Sequence, residues 1–341
     1  MWISFVFEKE LIYILFYIPP FFIKSFLEEN ILKDNDSINE IIDKLAKICL
    51  IIFYIIEKIK IQSTDKNRSN NELEISNNPL IKYKKQIQKR NSYLSISLLI
   101  FSIIFDLISM KSGYYFIIDI SKYSEIGIFL FVDIIFFTKK FFSHHIISVI
   151  MIIIIFFIEL IFNFYQNKNI LLQLTAIILY NYSYSFSRLL LNYINTKYYI
   201  SIYLMGSLIG ISQFIYLIIF TKDIIFGDKY FSLIIYFISC LMLHFIYFKV
   251  LSELNPIHTL LCYKIPEFFY SLINTDTLYY SILINIICLI SCFIYLGILQ
   301  LNFCGLNKNL KTNISKRGIV DFQSINLSFI NRNDKSRISI E

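Results

Sequence analysis

Blocks of about 20 apolar residues recur along this chain, separated mostly by short polar turns. A helix of that length crosses the ~30 Å hydrocarbon layer of a bilayer. No water is available there, so each block has to satisfy its own backbone hydrogen bonds, as a helix does. The distribution rules out an ordinary soluble domain. Of 341 residues, 56% are apolar and 17% charged, where a soluble domain has about a quarter charged.

The expected fold is all-α, a polytopic transmembrane helical bundle of about ten spans. The spans fall near 3–27, 41–62, 93–111, 114–137, 144–165, 170–194, 198–220, 230–250, 256–274 and 279–301. The first carries Glu8, Lys9 and Glu10 and is kinked by Pro19 and Pro20. The fourth is weakened by Asp119, Lys122 and Glu125, and the ninth is the most polar, with Lys264, Pro266 and Glu267. Residues 1–62 hold the first two spans and 93–165 the rest of a first helical half. Residues 166–301 form a second half, and 302–341 a cytoplasmic tail. Residues 63–92 are Asn- and Lys-rich with no apolar period, so a disordered basic loop is expected there.

The formal charge of +7 sits mostly between the apolar blocks. It therefore reads as an orientation signal and not as a nucleic-acid surface. The 63–92 loop, the Lys139-Lys140 turn and the tail carry most of the cations. With an even number of spans these segments share one side with the N-terminus, so both termini are expected in the cytoplasm of an endomembrane or plasma-membrane protein. No cleaved signal peptide is expected, since the start of the chain has no basic n-region or small-residue cleavage site. The cysteines (Cys49, Cys240, Cys262, Cys288, Cys292 and Cys304) form no CxxC pair and read as small apolar side chains.

Ionisable groups inside spans are costly and usually face the bundle interior or a wet cavity. Asp106, Asp133, Glu159, Arg188 and His244 qualify, with Lys264 and Glu267. The run from Tyr180 to Arg188 is the most informative. Asn181, Ser185 and Arg188 are spaced i, i+4, i+7 and share one helix face. A polar face ending in a cation suits an anionic or hydroxyl-rich solute; the alternative is that Asn and Ser bond neighbouring helices. Arg188, Asn181, Ser185, Asp133 and His244 are the candidate cavity residues. Gly206 and Gly210 form a small-xxx-small pair suited to close packing. His144-His145 reads as an interfacial basic turn; with four histidines in the chain a multi-histidine di-iron site is excluded. Neither a cofactor nor a bound metal is expected.

Two stretches carry a resemblance. One is the turn Thr138-Lys139-Lys140-Phe141-Phe142-Ser143-His144-His145 before a very apolar span. The other is Leu251-Ser252-Glu253-Leu254-Asn255-Pro256-Ile257-His258 before the ninth. Over about 120–301 the chain resembles the drug/metabolite transporter superfamily, which includes EamA-type and nucleotide-sugar transporters. The resemblance implies two inverted five-helix halves around a central solute site. It implies a transporter working by alternating access, with a small-molecule solute and the bilayer as partners, no nucleic acid, and a homodimer as an open assembly. The chain departs from that family in its low Gly content and its long 63–92 segment. Two rivals are a membrane-embedded lipid-modifying enzyme, since His144-His145 vaguely resembles the TLC-domain family, and a non-transporting scaffold or receptor.

Overall fold

A computed structural model describes residues 3–5, 9–30, 36–68, 79–113, 125–129, 132, 143–166, 170–220, 230–254, 256–273 and 279–301. These residues are almost wholly helical. The helices are α1 (Lys9–Asn30), α2 (Asp36–Ile48), α3 (Leu50–Arg68), α4 (Pro79–Gly113) and α5 (Ser143–Gln166). They continue with α6 (Ile170–Tyr198), α7 (Ile202–Phe220), α8 (Tyr230–Glu253), α9 (Pro256–Ile273) and α10 (Tyr279–Tyr295). One short antiparallel pairing, β1 (Ile3–Phe5) with β2 (Leu299–Leu301), sets Ile3 opposite Leu301.

Among the described residues four helical stretches are long and apolar enough to cross a membrane: Lys9–Asn30, Tyr93–Ser112, Ile202–Phe220 and Tyr230–Glu253. His144–Ile158 and Ile282–Tyr295 are apolar but shorter. Their outward faces are bare aliphatic and aromatic surface, such as Leu15 and Phe16 on α1, Ile100 and Phe101 on α4, and Ile153 and Phe157 on α5. Water offers such surface no partner; acyl chains do.

Two expectations are revised. The second span is not one helix: it breaks at Cys49 between α2 and α3. There the Ile52 amide bonds the Cys49 carbonyl at 3.0 Å, an i to i+3 bond that tightens the turn. The expected loop at 63–92 is entered by helix from both sides, α3 to Arg68 and α4 from Pro79. Pro is well placed at a first helical position, and the Lys, Gln, Ile and Arg that follow are adequate helix formers. The remainder of that loop, most of 114–137 and the 302–341 tail lie outside the described residues.

Helix ends are fixed by polar ties. At the start of α1, Lys9 and Tyr13 donate to Glu253 at the end of α8, and Glu10 meets His258 at the start of α9 at 3.2 Å. At the end of α1, Tyr236 of α8 donates to Glu28 at 2.5 Å and Tyr270 of α9 to Glu29 at 2.9 Å. So α1 runs antiparallel to α8 and parallel to α9. Between these ends α1 contains Pro19 and Pro20, which remove two intrahelical bonds.

Close packing needs small residues. A Cβ on Gly210 would sit 3.0 Å from the Ile48 amide nitrogen and 3.1 Å from the Lys47 carbonyl carbon. One on Gly206 would meet the Phe248 ring at 2.8 Å. These glycines let α7 lie against the α2–α3 break and against α8, as expected for a small-xxx-small pair. Between α4 and α6 serines do this work: Ser102 meets Ser187 hydroxyl to hydroxyl at 3.0 Å.

Candidate functional site

A cavity of about 800 Å³ opens inside the bundle, toward the end where α1 finishes and α2 begins. It is lined by the later halves of α1, α4 and α9, the polar face of α2, the middle of α6, Gln213 of α7, α8 and Glu125. Most of its charge is paired, as burial demands.

The deepest cluster joins α2, α4, α6 and α7. Arg188 Nη2 donates to Asp106 Oδ1 at 2.9 Å, with both side chains almost fully buried. Gln213 donates to the other oxygen of Asp106. Lys47 in turn donates to Gln213 Oε1 at 3.0 Å. Asp106 thus has both oxygens engaged. Arg188 does not use all its donors: Nε and Nη1 are buried with no hydrogen-bond partner among the described residues. Its guanidinium lies over the Tyr184 ring, 4.6 Å from the centroid, and 5.8 Å from that of Tyr247.

A second cluster lies on α9 and residues 125–129. Lys264 Nζ is 2.7 Å from Glu125 and 2.9 Å from Glu267. Toward the mouth, Asp43 collects Lys44 at 2.9 Å, Lys24 at 3.6 Å and His244 Nε2 at 3.1 Å. Below the cavity, toward the start of α1, the interior is aromatic. Tyr263 packs edge-on against Tyr17 at 5.8 Å and Tyr247 at 5.9 Å.

Of the candidates read from sequence, Arg188 and His244 line the cavity. Asn181 and Ser185 are fully buried but do not line it. The lining face of α6 is instead Tyr180, Tyr184 and Arg188, spaced i, i+4, i+8. Turning one residue along the helix rotates the side chain by about 100°. Asn181 and Ser185 therefore face away from the cavity. Asp133 lies outside the described residues, as does the side chain of Glu159. Arg188 pairs with Asp106, another of the ionisable residues singled out from the sequence.

Sequence reading passed over the α2 residues Glu40, Asp43, Lys44 and Lys47. All four line the cavity. Their i, i+3, i+4, i+7 spacing was the available signal, with Ile38, Ile41, Ile42 and Ala46 buried on the other side. His144 and His145 sit apart from the cavity, where His145 stacks on Tyr295 at 4.3 Å. Cys240, Cys262, Cys288 and Cys292 are buried free thiols. Among the described residues no three His, Cys, Asp or Glu side chains converge as a metal site would need. Compared with known proteins, the chain matches no family model and none of the curated proteins searched.

Proposed function

We propose that this chain is a multi-pass solute transporter of the drug/metabolite type, working by alternating access. The observation that carries the reading is the cavity. About 800 Å³ of polar, charged space lies inside a bundle whose outside is apolar. Burying charge in a membrane protein is costly, so such residues usually mark a substrate path. A purely structural bundle has no use for so large a polar space.

The cavity reaches the end of the bundle where α1 passes to α2. The opposite end is shut by the Lys9, Tyr13 and Glu253 cluster over packed tyrosines. That is the arrangement of one alternating-access state, with the other obtained by opening one end and closing the other. The charge bias of 63–92 and of the Lys139-Lys140 turn puts the closed end on the cytoplasmic side, and so leaves the cavity facing the lumen or exterior. Ten spans in two inverted halves, with both termini cytoplasmic, complete the reading.

The test has two readouts on the full chain in liposomes. Ser271 lines the cavity, and a cysteine there should react with a membrane-impermeant maleimide from the open side. A solute that is transported should slow that labelling and accumulate in the vesicles. A solute that protects without accumulating would leave a receptor in place of a transporter. Labelling that no solute and no change of membrane side alters would remove both.

A further inference from the structure

Lys47 is a cation that the fold buries without an acid of its own. It stands in the last turn of α2, 4% exposed, and borders the cavity. Its Nζ donates to the side-chain carbonyl of Gln213 at 3.0 Å, and among the described residues no carboxylate pairs with it. The nearest acids are Asp106 of α4 and Asp43, one turn back on α2. Asp106 gives one oxygen to Arg188 of α6 and the other to Gln213. Asp43 is shared by Lys44, by Lys24 of α1 and by His244 of α8. Glu40 lies a further turn out on α2, beside Lys44. From α7, Lys47 meets the neutral amide of Gln213.

An ammonium held near Arg188 and Lys44, with one neutral acceptor, is costly where water is scarce. The neutral amine is not, and it can keep its hydrogen bond to Gln213. The two protonation states are therefore closer in free energy here than on an open surface, where the ammonium is favoured by about three pH units at neutrality. The state of Lys47 is also linked to the centre of the site. Gln213 holds Lys47 with its oxygen and Asp106 with its nitrogen, and Asp106 holds Arg188. Through Gly210, α7 lies on the backbone at Lys47 and Ile48, just before the helix breaks at Cys49. A change of charge at Lys47 reaches α4 and α6 through one amide, and the α2–α3 break directly.

We propose that Lys47 is a proton-binding site of the cavity, and that the proton it carries is the coupling ion of the transporter. The ammonium passes one proton to a cavity water, which leaves as hydronium, and Lys47 remains as the neutral amine. Taking a proton back after the cavity has changed its access completes the cycle. Counted over Arg188, Lys47 and Asp106, the inner wall carries one net positive charge when loaded and none when unloaded. The coupling rests on the transporter reading; the titration of Lys47 does not.

The ligand is the proton, so the test is a titration of the full chain in nanodiscs, from about pH 5 to about pH 10. A trace of acetic anhydride acylates neutral amines, and site-resolved mass spectrometry reads each lysine. Labelling of Lys47 should reach half its plateau about two or more pH units below that of the exposed Lys9 and Lys249. Lys44, buried but paired with Asp43, should titrate no earlier than those two. The reagent is larger than water, so stability against denaturant is followed over the same range. A lysine that holds its proton less well in the folded chain than in the unfolded one makes the fold gain stability as the pH rises. The parent should gain on Lys47→Met by up to about tenfold in the folding equilibrium per pH unit, from near neutrality up to the range of an ordinary lysine. Lys47→Arg, a cation at every pH, should show no such gain. His244→Gln should keep it.

A half-labelling pH for Lys47 equal to that of Lys9 would overturn the site. So would stability that follows pH identically in the parent and in Lys47→Met, whether or not Lys47 is labelled, or a gain that His244→Gln abolishes and Lys47→Met keeps. Solute uptake that ignores an imposed pH gradient would overturn the coupling. If Lys47 titrates as expected in a chain that accumulates no solute, the proton site stands and the transporter reading falls. Solute accumulation with an ordinary Lys47 does the reverse.

Discussion

The two ends of the bundle solve the problem of charge in a membrane in different ways. At the open end the ion pairs are internal. Asp106 and Arg188 are 1% and 6% exposed at their side chains. At the closed end the pairs to Glu253 lie at the rim, above the largely buried Glu10–His258 pair. Lys9 is 50% exposed and Lys249 47%, with Glu253 at 25% between them. Beneath that rim Tyr17 and Phe248 are dry, with Tyr247 and Tyr263 packed edge-on. Exposed pairs contribute about 0–1 kcal/mol, whereas removing one partner of a buried pair costs about 3–5 kcal/mol. The ties of Lys9 and Lys249 to Glu253 can therefore break at small cost, while the largely buried Glu10–His258 and Arg188–Asp106 pairs stay assembled. On the transporter reading proposed above, that asymmetry would put a weak tie where the chain must part and a strong one where a solute would bind.

The largest effect should come from breaking the strong tie. Arg188→Ala strands Asp106 in a buried site, and should destabilise the purified protein by about 3–5 kcal/mol, seen as a lower unfolding midpoint. Replacing both partners with Asp106→Asn and Arg188→Gln should cost less than the sum of the single changes. Additive costs would mean the pair is not coupled. Next comes Gly210→Ala. Its Cβ would press on the backbone of α2 at Lys47 and Ile48, which cannot step aside as a side-chain tip can. Overpacking of this sort costs about 1–3 kcal/mol. It should also shift Lys47 relative to Gln213, so solute binding should weaken along with stability. A variant of full stability and affinity would show that the close approach is not needed.

Tyr17→Phe should do little or stabilise slightly. The Tyr17 hydroxyl is buried with no hydrogen-bond partner among the described residues, and removing such a group spares up to about 1 kcal/mol. A clear loss of stability would mean that the hydroxyl bonds water, and that the layer between cavity and closed end is wet.

The features readable from sequence were those with a repeating apolar signal or a lone anomaly. The long apolar runs predict α5 to α8 and α10 because each helix carries apolar residues over most of its length. Arg188 stood out as a cation in an apolar run, and Gly206 with Gly210 as a packing pair. Partnerships were hidden, because Asp106 is 82 residues from Arg188 and nothing local links them. The face of α6 was misassigned because polarity was taken as a sign of water. In a helical bundle small polar residues mark where helices touch, and Tyr180 and Tyr184 have the reach to border a cavity. The α2 charges were missed by taking 41–62 as one span, which merged part of an amphipathic helix with the apolar start of α3. The 79–92 stretch lacks an apolar period yet is helix, a case that periodicity alone does not detect.

The smallest effect on stability should have a visible effect on conformation. Lys9 and Tyr13 of α1 hold Glu253 of α8 across the closed end. Lys249 also pairs with Glu253, at 2.6 Å, but from within α8. Lys9→Gln should therefore loosen the contact between helices, and Lys249→Gln should not. Both changes are at exposed side chains and should cost under about 1 kcal/mol of stability. That same amount, applied to the opening equilibrium, changes it by up to about fivefold. Cys262 reports the opening. It is fully buried, with its thiol 3.8 Å from the Glu10 carbonyl oxygen just beneath the rim. Site-resolved mass spectrometry of thiol labelling should find Cys262 reacting faster in Lys9→Gln than in the parent, and unchanged in Lys249→Gln. Raising the salt should speed the parent toward the variant, because the charges that hold the rim are within reach of screening ions. Equal labelling in all three proteins would show that the packed tyrosines, and not the charged rim, keep this end shut.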